Sequence, residues 1–214
     1  MPTEVRILPG AHLENLSRLD AGIRFSSVPS ERSDEGLLIF SDFYGIIGSC
    51  MNNAAFIDSN NLYQAMKTLG WRLDNLKFRR FLREKYDVQK AYLCIGYMPE
   101  NQAMYTKFQQ LDYILVFKPV LTLKDGTTKG NCDADLVLRA MIEYPNYDKA
   151  VIVSGDGDYY SLIDYLKSKD KLEQVLIPNE FRYSALLKKV NDEHLKYISF
   201  ISSLKNKLEY LSQK

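Results

Sequence analysis

The stretch Ala150-Val-Ile-Val-Ser-Gly-Asp-Gly-Asp-Tyr159 decides how the rest of the chain is read. Four apolar residues, three of them β-branched, run without polar alternation, the pattern of a strand buried on both faces. A central strand of this kind belongs to a parallel sheet, whose sites open where the strands end and loops leave for the helices. Gly155 and Gly157 let a tight loop leave that end and aim two carboxylates, Asp156 and Asp158, at nearly one point. The plainer alternative is that Asp158 only caps the following helix, which Asp does well.

Outward from this stretch, strand-like and helix-like segments alternate. Ala54-Ala-Phe-Ile57 is a second continuous apolar run and ends at Asp58. Helices are predicted over 61–69, stopped by Gly70, and over 76–86. The second of these sets Phe78, Phe81 and Leu82 on one face, with Arg79, Arg80, Arg83 and Lys85 on the other. A strand is predicted over 88–97, a helix over 100–111 after Pro99, and a strand over 113–120. Then follow a helix over 134–144, a helix over 159–169, a strand over 174–177 and a helix over 183–190. A short strand over 197–201 and a final helix over 204–211 complete the chain. The alternation predicts an α/β fold, Rossmann-like, with three α/β/α layers and a mainly parallel central sheet.

Two apolar runs of this kind are expected to lie side by side, so that Asp58, Asp156 and Asp158 gather at one sheet edge. Such carboxylates repel one another unless a cation lies between them. Hard oxygen ligands suit Mg²⁺ or Mn²⁺. A further acidic piece is Lys129-Gly-Asn-Cys-Asp-Ala-Asp135, leading into a helix. Asp133 and Asp135 are separated by roughly 200° on an ideal helix, so both cannot face one site. With Ala134, Val137, Leu138 and Met141 taken as the buried stripe, Asp133 is the inward ligand. Asp135 then supports from behind, or serves as a first-turn acid favoured by the helix dipole.

Apolar and aromatic residues make up 46% of the 214, enough for a sizeable core, and the net charge of +1 gives no global pull towards nucleic acid. Three cysteines without a CxxC pair and only two histidines argue against a structural zinc site and for a reducing compartment. The longest apolar stretch, over 36–48, is too short to span a bilayer and contains Asp42. A cytoplasmic protein with no membrane partner is expected.

The pieces Phe56-Ile-Asp-Ser-Asn-Asn-Leu-Tyr63, Lys129-Gly-Asn-Cys-Asp-Ala-Asp-Leu136 and Val153-Ser-Gly-Asp-Gly-Asp-Tyr159, in this order, resemble the NYN domain family. The similarity is to its LabA-like members, within the PIN-like nuclease superfamily, and spans about residues 53–200. The resemblance implies a PIN-like sheet carrying metal-dependent ribonuclease chemistry, with Asp58, Asp133, Asp156 and Asp158 as the acidic site. Asn61 matches the family's asparagine after the first strand, and Ser154 the hydroxyl before the acidic pair. Ser59 stands where the family commonly has glycine, and the segment from Lys129 to Asp133 is one residue longer than usual.

Three functions compete on this scaffold. In the first, RNA phosphodiesters are hydrolysed at the aspartates, with Lys129 or the basic helix face gripping the backbone. In the second, the same fold is an inactive RNA-binding or regulatory module. In the third, Asp58 is a phosphatase nucleophile, but that chemistry wants an acid two residues later and Asn60 is there. Residues 1–50 read as an extension, natural or mis-assigned, with a short apolar anchor over 37–47. Residues 51–201 form the predicted nuclease domain and 202–214 a terminal helix. The sequence leaves a homo-oligomer open.

Overall fold

In the computed structural model, six parallel strands form one sheet. The structure describes residues 5–7, 25–27, 51–119, 121–122, 128–129, 132–190 and 197–211. The chain divides into two units, Met1–Ser49 and Cys50–Lys214. In the first unit, β1 (Val5–Ile7) pairs in parallel with β2 (Phe25–Ser27). The expected anchor over 37–47 lies outside the described residues.

The second unit runs β3 (Asn53–Asp58), α1 (Ser59–Leu69), α2 (Asn75–Tyr86), β4 (Val88–Tyr97), α3 (Gln102–Gln110) and β5 (Tyr113–Pro119). A two-residue ladder of β6 (Leu121–Thr122) and β7 (Thr128–Lys129) follows. Then come α4 (Asp133–Ile142), β8 (Ala150–Val153), α5 (Tyr160–Ser168), β9 (Leu172–Ile177), α6 (Ala185–Lys188), β10 (Ile198–Phe200) and α7 (Lys205–Leu208). The order across the sheet is β10-β9-β8-β3-β4-β5. The first strand of this sheet in chain order thus lies between its second and its fourth, with the later strands fanning out on one side and the earlier on the other. This is the doubly wound arrangement. Its switch point, where the strand order reverses, falls between β3 and β8.

β3 is buried along its whole length because both faces are covered. Ala54 and Phe56 point towards α4, α5 and α6, where Leu136, Ile163 and Leu187 pack. Ala55 and Ile57 point the other way, towards α1, α2 and α7, where Leu62, Phe78 and Leu208 pack. The fold class is therefore the one expected, a three-layer α/β/α sandwich of PIN-like type.

Four local expectations are corrected. Arg79 does not join a solvated basic face; it is 5% exposed. Its guanidinium donates to the carbonyls of Val88 (3.1 Å), Gln89 (2.8 Å) and Asp112 (3.0 Å) and to Asp112 Oδ2 (2.6 Å). A planar fork with five donors closes the exposed ends of two strands at once. In α4 the buried residues are Leu136 and Ala140, whereas Leu138 is 59% exposed and Ala134 and Met141 also face out. That helix is apolar on two sides, so periodicity could not tell which one meets the sheet. The helix expected over 183–190 shrinks to α6, because the Ser184 N–H donates to Gly155 O at 2.9 Å and keeps Ser184 extended. The final helix stops at Leu208, since Glu209 bridges to Leu73 and the Tyr210 N–H donates to Arg72 O. The strand expected to reach Val120 is described only to Pro119.

Candidate metal centre at the sheet switch point

Asp58 is the last residue of β3, and the Gly155 loop follows β8, so both lie at the carboxyl edge of the switch point. Asp58 is 5% exposed. Its Oδ1 accepts the Asn61 N–H at 3.0 Å and caps α1. Asn61 then turns its own Oδ1 to the Gly155 N–H at 2.8 Å, tying the two strand ends together. Ser154 is buried, and its Oγ accepts the Asp156 N–H at 3.1 Å. Asp156 Oδ1 accepts the Asp158 N–H at 3.1 Å. Asp158 makes no capping bond to α5, and its side chain is exposed. The loop geometry is fixed by close approach: a β-carbon at Gly157 would collide with Ser184 Oγ and lie 3.0 Å from Ser184 Cβ.

Asp133 opens α4 three residues before Leu136 and seven before Ala140, and so shares their inward face. Asp133, Asp156 and Asp158 each offer a carboxylate oxygen, and the three oxygens lie within 4.8 Å of one another. Asp58 stands beside this trio rather than in it. The link is Tyr159, fully buried, whose hydroxyl lies 2.7 Å from Asp133 Oδ1 and 3.0 Å from Asp58 Oδ2. The four acids named from sequence are thus brought together as three plus one.

The phenol has a single proton for two carboxylates. The Asp58 pKa is raised, first by burial and then by the charge of Asp133, against the hydrogen bonds from Asn61 and Tyr159. Tyr159 is held far above the ordinary phenol value, first by burial and then by the charge of Asp58, so its hydroxyl stays protonated. Cys94 and Cys132 are buried close by, and burial pushes their thiols up to about 12 and about 11. Neither serves as a thiolate nucleophile at neutral pH.

Asp135 is not part of this trio and pairs with Lys118 at 3.0 Å. The Lys129 side chain lies outside what the structure describes; its backbone pairs with Leu121 in the β6–β7 ladder. Sequence reasoning missed Tyr159 and Ser184. Tyr159 read as an ordinary helix-start aromatic, and nothing in the pattern places Ser184 across from Gly157. The donor set is carboxylate oxygen only, which fits a hard divalent cation and not a soft one.

A doubly wound sheet with clustered carboxylates at its switch point defines an α/β protein with a candidate site for a hard divalent cation. The match to the NYN domain extends over residues 53–199, and the chain belongs to that family. It is 26% identical over 126 residues to the low amplitude and bright protein LabA of Synechococcus elongatus, covering 54% of this chain and 68% of that protein. Among solved structures it is similar to VPA0982, a protein of unknown function from Vibrio parahaemolyticus, with a TM-score of 0.59 and 19% identity. That similarity covers 76% of this chain and 99% of the other, and it shows the fold. Among the described residues, no helix is long and apolar enough to cross a membrane.

Proposed function

We propose that this chain is a ribonuclease that hydrolyses RNA phosphodiester bonds with Mg²⁺ or Mn²⁺ at the acidic cluster. The observation that carries the proposal is the convergence of Asp133, Asp156 and Asp158 on one point of the sheet edge in an NYN domain. These three would hold the cation, with Asp58 beside them. A divalent cation bound there supplies an activated water and offsets the charge that builds on the phosphate. The chain's own residues set the stage. Asn61 and Ser154 fix the loop that carries Asp156 and Asp158. Tyr159 keeps Asp58 and Asp133 apart by one hydroxyl and remains a hydrogen-bond donor at neutral pH. Lys129 is proposed to meet the RNA backbone, and the reaction is placed in the cytoplasm. Asp135, engaged with Lys118, supports α4 rather than the cation.

The test is cleavage of single-stranded RNA by purified chain with Mn²⁺, with Mg²⁺ and with chelator. The expected result is metal-dependent cleavage that chelator stops and that Asp156→Asn and Asp158→Asn each lower by orders of magnitude. Cleavage that persists in the Asp156→Asn/Asp158→Asn double variant would remove the proposal.

A further inference from the structure

A cavity of about 590 Å³ opens between α1 and α3, on the sheet face opposite Tyr159. This is the size of cavities that take small organic groups, about 300–1,000 Å³. Its floor is apolar, formed by Ile57 and Leu93. Its lining carries five rings, the buried Trp71, Phe78 and Tyr113, the half-buried Phe108 and the exposed Tyr63, and its charged lining residues are Lys67, Arg72 and Lys107, with no carboxylate among them. The sequence shows the same bias over a wider surface. Residues 59–72 and 101–111 contain no Asp or Glu, in a chain that has 27 of them. Neither Lys67 nor Lys107 has a carboxylate partner among the described residues. Arg72 lies over the Tyr210 ring at 5.0 Å, a contact that leaves its charge uncancelled.

Ser59, which lines the cavity, follows Asp58 directly at the carboxyl end of β3. From there α1 leads down the sheet for about 16 Å to Trp71 and Arg72. Cations that can meet phosphates, rings that can meet bases, and a start at the acidic edge together describe a path for a single strand. A lipid tail would not require three cations along the length. An acidic peptide would not require a row of rings, of which Tyr63 is 64% exposed.

We infer that the α1–α3 groove binds single-stranded RNA, seating at least one base against the exposed ring of Tyr63, above the buried Trp71, while Lys67, Arg72 and Lys107 meet its phosphates. This rests on the nuclease proposal for the identity of the strand, and it adds the surface that grips it. A substrate crosses the switch point at the acids and continues into the groove.

Trp71 is the chain's one tryptophan, so occupancy reports itself in intrinsic fluorescence. The full chain is titrated with octauridylate in chelator, where no metal-dependent cleavage occurs. A saturable change in Trp71 emission is expected. Log affinity should fall with log salt at a slope of about −2, since three cations release about 0.7 counterion each on a single strand. Lys67→Glu/Lys107→Glu should weaken binding by roughly tenfold or more. Tyr63→Ala should weaken it by about fivefold or more through lost stacking. If charge reversal perturbs folding by circular dichroism, Lys67→Gln/Lys107→Gln replaces it, with the same direction expected. Asp156→Asn should bind normally and cleave poorly. The inference is overturned if Trp71 does not respond, if the double variants bind as the parent does, or if polyglutamate produces the same response. Groove-dependent binding without any cleavage would sink the nuclease proposal and leave the groove. Metal-dependent cleavage with a silent Trp71 would do the reverse.

Discussion

Replacing Gly157 with Ala should distort the acidic cluster without touching any of its carboxylates. A β-carbon at this position meets Ser184 Oγ and Ser184 Cβ on one side and Leu186 Cδ1 at 3.3 Å on the other. Ordinary carbon–oxygen approach needs about 3.3 Å, so loop or partner must move on the order of 1 Å. Ser184 is not free to yield. Its N–H is bound to Gly155 O at 2.9 Å, and its Oγ caps α6 through the Leu186 N–H. The loop therefore takes up the shift, and with it Asp156 and Asp158. Overpacking of this kind costs about 1–3 kcal/mol of stability. A displacement near 1 Å at a reacting centre costs about a hundredfold in rate. Urea unfolding gives the first number, and Mn²⁺ titration with single-turnover RNA cleavage gives the second. Gly157→Ala/Ser184→Gly should recover most of both losses, because the colliding atoms are gone and Gly still tolerates an N-cap position. If Gly157→Ala unfolds and binds Mn²⁺ as the parent does, the loop is not clamped as described.

Three further outcomes are expected. Burial raises the Asp58 pKa above 3.8, so metal-free stability falls as pH climbs from there through the raised value and stays low above it. Asp58→Asn keeps the cap and removes that loss; in chelator the variant should be the more stable at pH 7 and lose its advantage below about pH 3.8, and a less stable variant at pH 7 contradicts this. Arg79→Ala should cost about 2–4 kcal/mol in urea unfolding by orphaning buried carbonyls. Asp112→Asn, which keeps a residue tolerant of the left-handed backbone at this position (φ 65°), should cost less than about 1 kcal/mol, since that carboxylate side chain is 72% exposed, and equal losses would show that the ion pair rather than the carbonyls matters. A chain starting at Met51 should keep the melting temperature of the full chain, because the NYN match begins at residue 53 and the two units divide at Ser49; a fall of many degrees would place residues 1–50 in the core.

Much of this was legible in the residues. Ala54–Ile57 and Ala150–Val153 are short and wholly apolar, and their alternation with helical segments marks them as central strands of a parallel sheet. Their following acids had to share an edge once the strands were neighbours, and β3 and β8 do pair. What could not be read was phase and long-range contact. α4 carries Leu136 and Ala140 on one side and Leu138 and Met141 on another, and the sheet, not the helix, selects between them. The sequence picks Asp133 as the inward acid from the wrong stripe; it lies inward because it shares a face with Leu136. Arg79 reads as one more cation on a charged helix, and only the carbonyls it reaches, Val88 at the start of β4 and Asp112 just before β5, give it its place. Tyr159 links Asp58 and Asp133 across 101 and 26 residues of chain, a relation no local pattern carries.

The most direct measurement is anomalous diffraction from crystals of the full chain soaked in millimolar Mn²⁺. One peak, or a close pair, is predicted about 2.1 Å from carboxylate oxygens of Asp133, Asp156 and Asp158, and it should vanish in Asp156→Asn crystals. A well-ordered cluster with no anomalous density, or manganese bound only elsewhere, would contradict the assignment of these aspartates as a metal centre.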